Sequence, residues 1–328
     1  MKKQGTVLAV IEPRQMRQPA LMRALSLAMY ASAHPSKSGA RRQEIIAVMP
    51  VYDFSWDISS VLSAEQGRRM QQEIVDKQRA WLTAYLQVNA AGYSVRPEVI
   101  WSKNPGDDII AIARRERCDL IIKTADIHGM LDSVLFTPLD WKLLRSSPFP
   151  VYIAKDQMWA PTGTIAVAVN APDPKDTEGM MITMRLLREA QELSRFTRCE
   201  IHLINAIVPI VPPATLDLPG FTPQILSEEN LKEGCKQVLA FASRHGIPPE
   251  RCHIREGHPD EVIPSICREL RPTALFIGTA ARRGLAVALL GNICERVVDE
   301  IDCDIAVITP LAAQGGAEGK SSQESGRR

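Results

Sequence analysis

Val151-Tyr152-Ile153-Ala154 is a short apolar run, and Ile305-Ala306-Val307-Ile308, 154 residues further on, is its twin. The same interval separates Gly92 from Gly246, Pro105 from Pro259, Ile109 from Ile263 and Arg117 from Arg271. Towards the start of each copy it drifts to 158, with Leu8-Ala9-Val10 set against Ala166-Val167-Ala168, the kind of slippage that loop insertions produce. A chain with this self-similarity is two copies of one unit, and 328 residues suit two domains of ordinary size. We read residues 5–155 as the first domain and 156–163 as a linker carrying Pro161 and Gly163. Residues 164–310 form the second domain, and 311–328 a Gly/Ser/Gln-rich tail unable to bury a core.

Each unit alternates strand and helix. In the second, strands are expected at Ile165–Val169, Ile201–Ile204, His253–Arg255, Ala274–Ile277 and Ile305–Ile308, continuous apolar runs suited to a sheet covered on both faces. Between the first two lies a helix over Asp176–Phe196, whose stripe is read as Met180, Met184, Leu187, Ala190 and Leu193. Ser227 is read as the cap of the next helix, which stops at His245-Gly246; further helices are expected over Glu261–Leu270 and Gly291–Glu300. The first unit repeats the order with strands at Val7–Ile11, Ile45–Val48, Val95–Trp101, Leu120–Lys123 and Val151–Ala154, and a long helix from the Ser63 cap to Gly92. Asp107 and Asp108 favour the positive end of a helix opening near Pro105. This alternation specifies an α/β fold with parallel sheets and helices on both faces. The final strands, Val151–Ala154 and Ile305–Ile308, are bare edges and are expected to join the units about a pseudo-twofold axis.

Composition narrows the function. Basic and acidic residues nearly cancel, 39 against 38, and aromatics are 5%, so no nucleic-acid partner is expected. Seven scattered cysteines form no C-x-x-C, which disfavours a disulfide framework or a metal site. No stretch has the length of a membrane span, and the apolar run after Met1 meets Glu12, Pro13 and Arg14 too soon for a signal peptide; a cytoplasmic protein is expected. His128, His253 and His258 are read as structural or solvent-facing. Pro209–Pro223, with Pro212-Pro213, is a long apolar loop, either a cover for its own core or a contact wall.

In parallel sheets of this type ligands bind beyond the carboxyl ends of the strands, at the switch in strand order. There the second unit carries Gly278-Thr279-Ala280-Ala281-Arg282-Arg283-Gly284, then Gly291-Asn292 opening a helix. Glycines so placed let backbone N–H groups close around an anion at a helix N-terminus, and Arg282 can add charge. The bland alternative is that these glycines only turn the chain and the arginines face water.

The spacing Gly278-x2-Ala281-x9-Gly291-Asn292 resembles the G-x2-G-x9-G-[S/T] nucleotide motif of the universal stress protein family, and Gly257-His258-Pro259 resembles its G-x-P element. Pro50–Ser55 and Phe136–Trp141 of the first unit carry similar features. Covering residues 5–310, the resemblance implies two tandem flavodoxin-like (Rossmann-like) domains, each a five-stranded parallel sheet, that pair within the chain and between chains. It also implies a non-enzymatic stress-response role and, in those members that keep the motif, ATP binding. By that resemblance Asn170 and Ala206 lie near the adenosine, with Gly278, Arg282, Gly291 and Asn292 around the phosphates. Ala281 and Asn292 depart from the motif, and Asn170 stands where nucleotide-binding members carry aspartate. In the first unit Thr124, Ile127 and Thr137 replace every glycine, so its cradle is expected to be dead. Two alternatives stay open: a scaffold for a non-nucleotide or apolar ligand, and a slow ATP hydrolase. The latter is short of acid, since no Asp or Glu lies between Gly278 and Asn292 and Glu295 is the nearest. A P-loop-like Gly319-Lys320-Ser321 lacks its first glycine, with Gln314 in that place, and is set aside.

Overall fold

The structure, a computed structural model, describes residues 5–13, 15–33, 43–52, 63–125, 137–156, 159, 162–170, 176–209, 223–278 and 292–309. The first half runs β1 (Thr6–Val10), α1 (Pro19–Ala33), β2 (Ile45–Val51), α2 (Ala64–Asn89), β3 (Val95–Trp101), α3 (Pro105–Arg115), β4 (Cys118–Thr124), α4 (Pro138–Ser146) and β5 (Val151–Ala154). The second runs β6 (Thr164–Ala168), α5 (Thr177–Thr197), β7 (Glu200–Ile207), α6 (Pro223–Arg244), β8 (Cys252–Glu256), α7 (Pro259–Leu270), β9 (Ala274–Gly278), α8 (Asn292–Glu300) and β10 (Asp304–Ile308).

All ten strands form one sheet, in the order β3-β2-β1-β4-β5-β10-β9-β6-β7-β8. Each half is therefore a parallel 3-2-1-4-5 array, the Rossmann-like of the two common doubly wound orders, with its switch point between its first and fourth strands. One core face collects Leu21, Leu82, Leu186 and Phe241 from α1, α2, α5 and α6. The other collects Ile109, Leu143, Ile263 and Val297 from α3, α4, α7 and α8. The duplication reaches the backbone: Gly92 and Gly246 both take left-handed φ (86° and 70°) after a helix, and so do the non-glycines Arg117 and Arg271 (54° and 45°).

The halves join where the sequence leaves bare edges. β5 and β10 pair antiparallel, Val151 with Val307, Tyr152 with Ala306 and Ile153 with Ile305. Residues 154 apart exchange places in this register, so a pseudo-twofold axis passes through the Tyr152–Ala306 pair. Around it Arg23 donates to the Lys155 carbonyl and Arg185 to the Thr309 carbonyl, each at 3.3 Å, again 154 apart on the acceptor side. The symmetry fails at Asp304, which is fully buried and whose counterpart is Pro150. Its carboxylate accepts from Arg23 Nε (2.5 Å), the Lys155 amide (2.8 Å) and Trp159 Nε1 (2.7 Å), while the Arg23 guanidinium lies 4.9 Å from the Trp159 ring centre. Helix, linker and both seam strands are thus tied at one carboxylate. The remaining outer strands, β3 and β8, carry Arg96, Pro97 and Glu98, and His253, Arg255 and Glu256, which disfavour further strand addition.

Some expected details shift. Ser63 caps α2 in a full capping box with Gln66. Ser227 does not cap α6, which begins four residues earlier at Pro223; its hydroxyl instead donates to Glu256. Asp176 caps α5, but Met184 is 42% exposed, and the buried stripe runs through Ile182, Leu186, Leu187, Ala190 and Leu193. The spacing of Met184 fits an apolar face, yet the sheet lies on the adjacent side of the helix. Asp107 and Asp108 do sit in the first turn of α3, ion-paired with Lys142 and bonded to Ser102.

Candidate functional site

The carboxyl edge of β6, β7 and β9 brings three of the expected residues together. β6 lies between β9 and β7, with Val167 level with Phe276, so Asn170, just past β6, stands near the height of Gly278, the last residue of β9. Asn170 is exposed. Ala206 lies on β7 opposite Arg255 and packs against the face covered by α7. Asn292 is the first residue of α8, and Arg282 and Gly291 lie outside the described residues. The His128, Gln314 and Pro212-Pro213 features also fall outside them.

Gly278 has a packing reason to be glycine. A Cβ there would stand 2.5 Å from Ile182 Cγ2 and 3.3 Å from Leu186 Cδ1, so α5 approaches the strand end too closely for any side chain. Two strands away on β7, Asn205 is only 2% exposed; its amide donates to the Val169 carbonyl at 2.7 Å, and its side-chain oxygen is buried with no hydrogen-bond partner among the described residues.

The same edge of the first half is filled by its own side chains. Thr124, the counterpart of Gly278, accepts a 3.1 Å hydrogen bond from the Ala20 amide in the first turn of α1. Thr137, the counterpart of Gly291, caps α4 through its hydroxyl, and Asp140 Oδ2 in turn accepts from the Thr137 amide (2.7 Å) and hydroxyl (2.8 Å). Behind this cap lies Lys123, fully buried, its ammonium 2.9 Å from Asp140 Oδ1 and 3.0 Å from Glu12 Oε1. Glu12 stands 158 residues before Asn170, at the matching place past β1. Two helix N-termini that could each receive an anion are thus satisfied internally. The sequence marks the two threonines as replacements for the motif glycines, but does not bring Lys123, Glu12 and Asp140 together. A lysine inside the strand Leu120-Ile121-Ile122-Lys123 and the capping signature Thr137-x-x-Asp140 were the available signals.

A further pair lies on β7 and β8. His202 Nδ1 and His253 Nε2 are 2.9 Å apart, with ring planes 11° from parallel, so one ring nitrogen donates to the other. Burial lowers the pKa of both below the ordinary histidine value, helped by mutual repulsion and Arg251 at His202 and by Arg255 at His253. His253 is thus held against a second ring, that of His202 on the neighbouring strand. Among the described residues no group of His, Cys, Asp and Glu is placed to hold a metal, and no helix is long and apolar enough to cross a membrane.

Comparison with known proteins agrees with this architecture. The chain is 34% identical over 309 residues to universal stress protein E of Photorhabdus laumondii, covering 93% of this chain and 94% of that one. It is 34% identical over 308 residues to universal stress protein E of Escherichia coli K12, covering 93% of each. A Pseudomonas aeruginosa crystal structure of unknown function superimposes with a TM-score of 0.71 at 26% identity, over 93% of this chain and 92% of that chain. The profile of the universal stress protein family matches residues 5–155 and again 179–309, and the chain belongs to that family, as a tandem member with two copies of its domain.

Proposed function

We propose that this stress protein is a cytoplasmic, non-enzymatic regulator whose second half binds one adenine nucleotide, ATP in the first instance, and whose chains self-associate. The units are taken as residues 5–155 and 164–310. What carries the reading is the contrast at two matching positions: where the first half has the helix-capping threonines Thr124 and Thr137, the second has Gly278 and Gly291. Gly291 directly before α8, with Arg282 in the same loop, supports an external anion, and the motif spacing supports phosphates at Gly278, Arg282, Gly291 and Asn292. Asn170 and Ala206 would then flank the adenosine. A hydrolase would need a water-orienting base and a Mg²⁺ ligand, and the acid-free segment between Gly278 and Asn292 argues for binding without turnover.

Calorimetry on the full chain with ATP tests this. One nucleotide bound per chain, with no phosphate released with or without Mg²⁺, is the expected result. No heat at millimolar ATP overturns nucleotide binding, and sustained phosphate release overturns the regulatory reading. Mass spectrometry of ligand extracted from the purified protein would reveal an apolar occupant instead.

A further inference from the structure

We infer that the first half retains a built anion site whose permanent occupant is its own Asp140 carboxylate, and that emptying it makes this half accept a small monocarboxylate from solution. The groups are those of an anion receptor: the Thr137 amide at 2.7 Å and hydroxyl at 2.8 Å donate to Asp140 Oδ2, and the Lys123 ammonium, which donates to the Thr124 carbonyl, forms an ion pair with Oδ1 at 2.9 Å. Asp140 and Lys123 are both 0% exposed. The site lies at the N-terminus of the nine-residue helix α4, beside the end of β4 at the switch point, where doubly wound sheets receive ligands.

Glu12 decides which anion fits. It contacts the same ammonium at 3.0 Å and is 17% exposed, so it keeps neutralising Lys123 when Asp140 is removed. A multiply charged phosphate would meet that carboxylate, whereas formate matches Asp140 in charge and shape. The inference concerns only the first half and holds whether or not the second binds a nucleotide.

The test is thermal unfolding of full-length Asp140→Ala in low-salt buffer, titrated with sodium formate or sodium chloride at equal ionic strength. The variant should melt roughly 10 °C below the native chain, the scale set by breaking a buried ion pair. Formate should then restore several degrees saturably, while chloride does not and the native chain responds to neither. The double variant Lys123→Met/Asp140→Leu, which replaces the pair by apolar groups, should show no formate response. If Asp140→Ala fails to fold in chloride, refolding yield is measured in the same titration. Equal responses to both salts, or no gain with formate in either measurement, overturn the inference.

Discussion

β4 ends on Thr124 and β9 ends on Gly278, 154 residues later, and the two edges diverge from there. Beside Thr124 the chain closes on itself: a hydroxyl satisfies α1, a Thr–Asp box satisfies α4, and a buried lysine joins the box to Glu12. In the second half the matching residues are Gly278 for Thr124, Gly291 for Thr137, Ile277 for Lys123, Cys294 for Asp140 and Asn170 for Glu12. No carboxylate or ammonium remains at those places. Strand order is conserved between halves, so the backbone topology is shared, and the two edges differ in the five side chains they carry.

The sharpest way to break this comparison is to move second-half residues into the first. Lys123→Ile leaves Asp140 and Glu12 facing each other without their cation, and should cost about 3–5 kcal/mol in urea unfolding. Adding Glu12→Asn and Asp140→Cys should recover most of that loss, because the uncompensated charges go with the lysine. A single variant within 1 kcal/mol of the native chain would show that the cluster is not a closed ionic unit. The seam offers a second asymmetry. Arg23→Ala strips the buried Asp304 of its cation and should cost roughly 3 kcal/mol, whereas Arg185→Ala removes a bond to a carbonyl and should cost about 1 kcal/mol. Equal costs would mean that Asp304 adds nothing across the axis.

Much of this was legible in the sequence because duplication doubles every signal. The β5 and β10 runs, the paired glycines and the paired prolines each fix an element twice, and the β5–β10 seam follows from two bare edges. The site was harder to read. Motif spacing points to Gly278 but is silent on why it is glycine, since the constraint is the distance to Ile182 on a helix a hundred residues away. The Lys123 cluster joins residues from the segment after β1, from β4 and from α4, and only the fold places them within 3 Å. Met184 failed for a related reason: helical period gives a face, but which face meets the sheet is set by neighbours.

A smaller effect sharpens the contrast at the strand ends. Gly278→Thr puts the first half's residue into the second, where its Cβ collides with Ile182, and should cost about 1–3 kcal/mol by overpacking. It should also abolish nucleotide binding in calorimetry, by closing the edge from within. The reverse change, Thr124→Gly, uncaps the Ala20 amide and should cost about 1 kcal/mol. A Gly278→Thr chain that still binds ATP would place the ligand elsewhere.

The smallest expected effect separates the halves by pH. The first half has the apolar Ile46 where β7 carries His202, each one residue past a matching strand pair. Both histidines of the His202–His253 pair are held below the ordinary pKa of 6.5, chiefly by burial, with Arg251 and Arg255 opposing their protonation and Glu200 and Glu269 favouring it. A depressed base is neutral in the fold, so the unfolded chain binds more protons as acid is added. Their contribution is fully present above pH 6.5 and is lost as pH falls through 6.5 towards the lower folded values. Protonating both rings also removes the acceptor of the N–H···N bond, so β8, an outer strand, should loosen before the rest of the sheet. Hydrogen exchange at β8 between pH 7 and pH 5 should therefore accelerate more than at β3, and His202→Ile should remove the difference. If β3 and β8 respond alike, or the variant keeps the response, the acid sensitivity arises from other groups.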